Sequence, residues 1–259
     1  MSGAITMTRD GDIATVVLDR PEKLNALTRS MWEHLGETVS ALSADDSLRG
    51  VIVRGAGEKA FSPGNDIGEF ATMRSNKAQA IEYGGAMHRT ARAMAECRHP
   101  LVAHIHGICV GGGLEIAALC DLRICGETSR FGAPIKNLGL VMAYPELAPI
   151  ARLVGAAVAL EILLEGRVFD AQEALAKGLV TRVVADGLVA QEARATAQRI
   201  AEGAPLVARW HKKFARRLAD PRPITAEEHD EAFDCFDSED FREGYAAFLA
   251  KRKPVFRGK

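Results

Sequence analysis

Net charge is almost absent from this sequence. Lys and Arg total 33 against 34 Asp and Glu, leaving −1, so no global field draws the chain to nucleic acid or to an anionic membrane. Neither is expected as a partner. Long apolar runs are missing too: no stretch reaches the ~18 consecutive apolar residues of a membrane span, and Met1–Met7 lacks the basic and apolar regions of a secretion signal. A cytoplasmic location is therefore expected. The five cysteines, Cys97, Cys109, Cys120, Cys125 and Cys235, are odd in number and lack metal-ligand spacing. Most lie in apolar contexts, where free cysteine acts as a small core residue of a reducing compartment. Internal repeats are also not visible, so periodicity alone announces no repeated architecture.

What is present fits one large domain with an appended segment, since 259 residues can bury a sizeable core. Ile5–Arg9 and Ile13–Leu18 alternate around Asp10-Gly11-Asp12 and predict a hairpin. Thr28 caps a helix over Arg29–Leu42 whose apolar stripe is Met31, Leu35, Val39 and Leu42. Val51–Val53 is a buried strand, Ile67–Thr72 one helical turn or more, and Asn76–Arg98 a longer helix weakened by Gly84 and Gly85. Strands follow at Leu122–Cys125, Arg130–Gly132 and Val180–Val184, with helical runs at Leu147–Val154, Val158–Leu164 and Ala171–Lys177. Beyond Asp186 strand signals vanish, and Leu188–Glu202, Leu206–Leu218, Thr225–Phe236 and Phe241–Lys251 all predict helices. Alternation alone therefore gives an α/β chain with a helical C-terminus.

The chain is organised around Val102–Leu122. An apolar strand-like run ends in Gly111-Gly112-Gly113, which opens a helix-like segment, Leu114–Leu119, carrying one carboxylate, Glu115. Glycines at a helix start let the backbone pass close to a ligand, and the free N–H groups there, reinforced by the helix dipole, can hold developing negative charge. Glu115 lies in the first turn beyond them, so a proton-transferring group and an oxyanion donor would share one small volume. His104 and His106 fall on one face of the preceding strand, as two metal ligands would, but no third ligand is evident and no metal is expected.

A second fragment, Ala60-Phe61-Ser62-Pro63-Gly64-Asn65-Asp66-Ile67, follows the strand at Val51–Val53. Together the two fragments resemble the enoyl-CoA hydratase/isomerase (crotonase) family. The likeness extends over nearly the whole chain through Arg20-Pro21, Asn25-Ala26-Leu27, Cys120–Arg123, Phe131-Gly132, Asn137-Leu138-Gly139, Ala171–Ala174, Gly178–Val180, Glu243-Gly244, Phe248 and Lys251–Lys253. The resemblance implies a crotonase-like spiral of ββα units over residues 1–185, binding an acyl-CoA thioester, and a helical segment over 186–259 for packing and oligomerisation. It further implies a homotrimer or dimer of trimers, with coenzyme A as part of the substrate and no separate cofactor.

Carried over residue by residue, the resemblance makes the N–H groups of Asn65 and Gly112 the oxyanion donors and Glu115 the acid or base. Lys23, Leu24, Asp66, Ile67, Phe248 and Lys251 match positions around the coenzyme A moiety. The second glutamate of the hydratases is missing: Ile135 stands there, in Phe131-Gly132-Ala133-Pro134-Ile135. Two carboxylates can divide acid and base duties, whereas an apolar side chain can do neither. Tyr144 or Glu146, in the altered loop Leu140–Glu146, are the candidates to replace it. The reading is an atypical hydratase; a malonyl-type acyl-CoA decarboxylase and a catalytically silent acyl-CoA-binding protein stay open beside it.

Overall fold

The computed structural model describes residues 3–259. Chain order is β1 (Ala4–Asp10), β2 (Ile13–Asp19), α1 (Arg29–Ala44), β3 (Gly50–Gly55), β4 (Ala60–Ser62), α2 (Phe70–Met73), α3 (Lys77–Glu96), β5 (Leu101–Ile105) and β6 (Ile108–Val110). It continues with α4 (Gly112–Leu119), β7 (Leu122–Gly126), β8 (Arg130–Gly132), α5 (Tyr144–Glu165), β9 (Val168–Asp170), α6 (Ala171–Ala176) and β10 (Arg182–Val184). Four helices end it: α7 (Val189–Ala201), α8 (Pro205–Arg217), α9 (Ala226–Glu231) and α10 (Glu239–Leu249).

Two sheets are built in parallel. One has the order β1-β2-β3-β5-β7-β10, the other β4-β6-β8-β9. The β1–β2 hairpin is antiparallel, as is β8–β9, while the other pairs are parallel. Each of β3–β4, β5–β6 and β7–β8 therefore gives one strand to each sheet before the chain leaves through a helix, which is the ββα spiral.

The apolar run after Pro100 is not one strand. It bends at Gly107, whose φ is +55°, and a Cβ there would sit 2.0 Å from the Lys59 carbonyl oxygen. Any other residue would thus collide with the neighbouring turn of the spiral. This bend moves β6 into the second sheet and delivers Gly111–Gly113 to the ends of β4 and β6.

Caps behave as their residue types dictate. Thr28 accepts from the Met31 N–H at 3.2 Å, Asn76 from Gln79 at 3.1 Å and Asp170 from Glu173 at 2.9 Å. The Gly84–Gly85 pair leaves α3 unbroken, because its face Tyr83, Met87, Ala91 and Met94 is buried against the core. Tertiary burial overrides propensity there. The main core joins Leu35 and Val39 of α1, Val51 and Val53 of β3 and Ile116 of α4, with Phe61 and Phe131. A second cluster packs Val189, Ala193 and Ala197 of α7 on Ile13, Ile52, Val102 and Ile124 of the larger sheet.

Three expectations need correction. The helix expected over 225–236 stops at Glu231, and a separate 3-10 turn follows at Asp234–Asp237. The strand expected at 180–184 pairs only over Arg182–Val184. Finally, α5 is long and apolar enough to cross a membrane by length and composition. It carries Arg152 and Glu161, turns non-helical at Gly155, and packs Ile150, Ala159 and Ile162 into the core. The basic run at 209–217 fastens α8 to the rest of the chain: Lys212 pairs with Asp121 at 2.7 Å and Arg209 with Asp46 at 3.4 Å.

Candidate active site

Two loops meet where β4 and β6 end. In the first, the Ser62 hydroxyl donates to the Asn25 carbonyl at 2.8 Å and accepts from the Gly64 N–H at 3.0 Å. The Gly64 carbonyl then accepts from Leu27, and Asp66 N–H donates back to the Leu27 carbonyl, each at 2.8 Å. In such a parallel bridge the groups flanking Asn65 are used, so the N–H of Asn65 itself faces the other way. The second loop passes beside Gly64. Gly64 has φ +93°, and a Cβ on it would lie 2.5 Å from the Gly112 nitrogen. That approach requires glycine on two counts, the conformation and the space. Gly112 is the first residue of α4, so its N–H has no partner within the helix. Among the described residues neither amide, Asn65 or Gly112, donates a hydrogen bond.

The Asn65 side chain is pinned. Its Oδ1 accepts from the Trp32 indole N–H at 2.6 Å, and its amide nitrogen lies 3.6 Å from the Met87 sulfur. Trp32 is itself fully buried between the elements of the core. Trp32 carried no sequence signal for this contact.

Glu115 projects from the first turn of an almost wholly buried helix and is 1% exposed. Its Oε1 has no hydrogen-bond partner. Burial pushes this carboxyl well above the usual carboxylate range, the neighbouring Glu146 charge pushes it further, and Arg74 opposes both. The Arg74 guanidinium lies over the rings of Phe70 and Tyr83, at 4.8 and 5.0 Å from their centroids.

The altered loop resolves the two candidates differently. Tyr144 starts α5 and is 92% exposed. The structure does not bring it to Glu115, which corrects that expectation: as the first residue of α5, outside the apolar stripe, it has nothing to bury against. Glu146, two residues on, is buried, and its carboxylate turns back to accept from the Ala143 N–H at 3.1 Å. Its other oxygen lies 3.4 Å from Nε2 of His88 on α3, without the alignment of a hydrogen bond. Ile135, in the 3-10 turn Pro134–Leu138, is half-buried and supplies no polar group. His88 is a residue that the sequence did not single out, since a lone histidine beside a helix stripe carries no motif.

The positions matched to coenzyme A divide into two groups. Lys23, Leu24 and Ile67 lie exposed or nearly so on the turns beside the first loop, and the Lys23 charge reaches Asp66. Asp66 is committed elsewhere: it pairs with Arg20 at 2.6 Å and caps Gly68 at 2.9 Å. The Arg20 guanidinium holds its carboxyl below the usual range. Its side chain ties two loops together, and an anion is a poor neighbour for phosphates. Phe248 and Lys251 stand at the end of α10, where Phe248 is 80% exposed and borders a groove with Phe241, Tyr245 and Phe256. Among the described residues no hydrogen bond links α10 to the loop at 20–27. His104 and His106 pack ring to ring at 4.8 Å, and burial pushes His104 down to about 3. No third His, Cys, Asp or Glu joins them among the described residues.

Comparisons with known proteins show the family. A sequence model of the family described as enoyl-CoA hydratase/isomerase matches residues 8–259. The short-chain-enoyl-CoA hydratase of Clostridium acetobutylicum is 31% identical over 251 residues, covering 96% of this chain and 95% of that one. The crotonyl-CoA hydratase of Syntrophomonas wolfei is 30% identical over 257 residues, covering 98% of both. A crystal structure described as an enoyl-CoA hydratase/carnithine racemase from Magnetospirillum magneticum superposes with a TM-score of 0.97 at 52% identity, covering 99% of this chain and 96% of that one. The chain therefore belongs to the enoyl-CoA hydratase/isomerase family.

Proposed function

We propose that this chain hydrates a 2-enoyl-CoA thioester, with the second carboxylate of the reaction supplied by Glu146 in place of the residue at 135. The observation that carries the reading is Glu115, buried with an unbonded carboxyl oxygen and biased by the charge of a second buried carboxylate, Glu146. A carboxyl group whose surroundings favour its protonated form, set beside a second carboxyl group, can provide acid and base in one site.

Binding begins with the thioester oxygen between the N–H groups of Asn65 and Gly112. Negative charge developing on that oxygen is stabilised more than the neutral carbonyl is, so the enolate and the transition states flanking it are lowered. Glu146 accepts a proton from water as the water oxygen bonds to the β-carbon. The α-carbon of the enolate then takes the proton of Glu115. One water is added in total, and a proton passing from Glu146 to Glu115 restores the start. Lys23, Leu24 and Ile67 would flank the coenzyme A moiety, whose phosphates suit a lysine. Phe248 and Lys251 are further contacts to the nucleotide, and coenzyme A enters only as part of the substrate. The exposed apolar side chains of the tail, Phe233, Phe236 and Phe241 among them, suit subunit contacts in a homotrimer or dimer of trimers.

A mass-spectrometric screen of acyl-CoA thioesters tests the reading. Gain of one water on crotonyl-CoA is expected, whereas loss of carbon dioxide from malonyl-type thioesters with no hydration would select decarboxylation. The exposed position of Tyr144 gives that second reaction no added support.

A further inference from the structure

Five buried side-chain atoms lack a hydrogen-bond partner among the described residues: Nε of Arg20, Nε2 of His88, Nε2 of His104, Oε1 of Glu115 and Nε of Arg209. Buried polar atoms are ordinarily paired, so each such case asks for a cause. Two of the five, on α3 and α4, belong to neighbours of one group, the Glu146 carboxylate on α5. One oxygen of that carboxylate is held by the Ala143 N–H at 3.1 Å. The other has His88 Nε2 at 3.4 Å, and this nitrogen is closed off from water.

The place of His88 on α3 ties it to the other half of the site. The residue before it, Met87, touches the Asn65 side chain at 3.6 Å. One helix therefore braces the oxyanion loop with one residue and faces Glu146 with the next. A histidine serving only as packing would leave its shielded nitrogen against apolar atoms or bond it to a carbonyl; here the nearest complement is a carboxylate oxygen. Contacts of this length in an unliganded site commonly tighten once substrate closes it.

We infer that His88 is a positioning residue whose Nε2–H holds Oε1 of Glu146 in line with the attacking water. The inference rests on the proposed function, in which Glu146 is the base. The base must approach the water within hydrogen-bond reach and at one orientation, and a carboxylate held at only one oxygen can rotate out of line. The groups facing the pair are Glu115 from α4 and Arg74 from the turn before α3, and neither is an alternative partner for Nε2 within ion-pair distance.

The test is steady-state hydration of crotonyl-CoA by the full chain and the variants His88→Leu, His88→Gln, Glu146→Gln, Glu115→Gln and the double variant His88→Leu with Glu146→Gln, each first shown to melt cooperatively. His88→Leu should lower kcat about 30-fold with KM within about twofold, the pattern of lost alignment and not of lost binding. His88→Gln keeps an N–H near the same place and should recover to within about fivefold of the native kcat. In the Glu146→Gln background the His88→Leu change should cost nothing more, because the two act as a unit. An unchanged kcat in His88→Leu, the same loss in both backgrounds, or a glutamine variant as slow as the leucine one would overturn the inference. Full turnover by Glu115→Gln, or turnover of no acyl-CoA by the native chain, would instead sink the proposed function and this inference with it.

Discussion

The two halves of the site are built from different materials. At the junction of residues 62–66 with 111–115 the groups on offer are main-chain amides, fixed by the Leu27 bridge, by Gly64 against Gly112 and by the first turn of α4. Around Glu146 they are side chains delivered by three helices, α3, α4 and α5, and held by one cap hydrogen bond and one loose approach from His88. Backbone geometry tolerates almost no change, since a Cβ at Gly64 has no room. The half made of side chains has more freedom, since a carboxylate can be delivered to it from more than one element. Such a division suits a fold that keeps enolate stabilisation constant and varies the proton chemistry beside it.

The largest break in the comparison comes from Glu115, the one side chain common to both halves. Glu115→Gln should lower kcat for hydration about 10³-fold while leaving acyl-CoA binding intact, measured by turnover and by titration calorimetry. The same variant should be the more stable protein. Glu115 is raised in the folded state, so its contribution is full below the unfolded value near 4.5 and is lost as pH rises toward the folded value. Native stability should fall by about 1.4 kcal/mol per pH unit across that window, and the glutamine variant, which has no proton to lose, should be spared that loss. Melting curves of both proteins from pH 4 to pH 8 check this: the gap should open as pH rises, and a constant gap would contradict the burial argument.

Next in size is the backbone half. Gly64→Ala combines a positive φ with a 2.5 Å clash against the Gly112 nitrogen, and should lower kcat about 10²-fold by parting the two amides. If that variant hydrates normally, the amides are not the donors. Trp32→Phe removes the 2.6 Å indole bond to Asn65 and part of the buried ring that packs beside Gly112. A loss of about five- to tenfold or more in kcat/KM is expected, from one hydrogen bond that orients a loop and from the packing lost with it. The smallest effect is expected from restoring the missing carboxylate. Placed in the Glu146→Gln background, Ile135→Glu should recover about threefold in kcat, since a carboxylate at a second place can serve less well as base; no recovery would mean that the two positions do not face the same water.

The division also decides what could be read from the sequence. Gly64, Asn65, Gly112 and Glu115 stand in short contiguous motifs because a backbone device needs neighbouring residues, and the αβ alternation followed by helices was equally open to view. The second sheet was not, because β4, β6 and β9 are three residues long, too short for a period of two to register. His88 lies 58 positions before Glu146, and Trp32 lies 33 before Asn65; only the folded chain joins them. Burial separates Tyr144 from Glu146 although both were candidates in one loop. A helix start shows one residue to solvent and the second after it to the core, and where that start falls was not legible among Leu140–Glu146. The part played by the Asp66 side chain was hidden for a similar reason: the motif shows a carboxylate, and only the fold shows the guanidinium of Arg20 that occupies it.

The most direct measurement is exchange of the α-proton of butyryl-CoA, a saturated thioester that cannot be hydrated, followed by proton NMR in deuterium oxide. Stabilisation of an enolate by the Asn65 and Gly112 amides with Glu115 as the proton carrier predicts exchange with the native chain and its loss in Glu115→Gln. Exchange that survives in that variant, or a native chain that hydrates enoyl-CoA yet exchanges no α-proton, would contradict it.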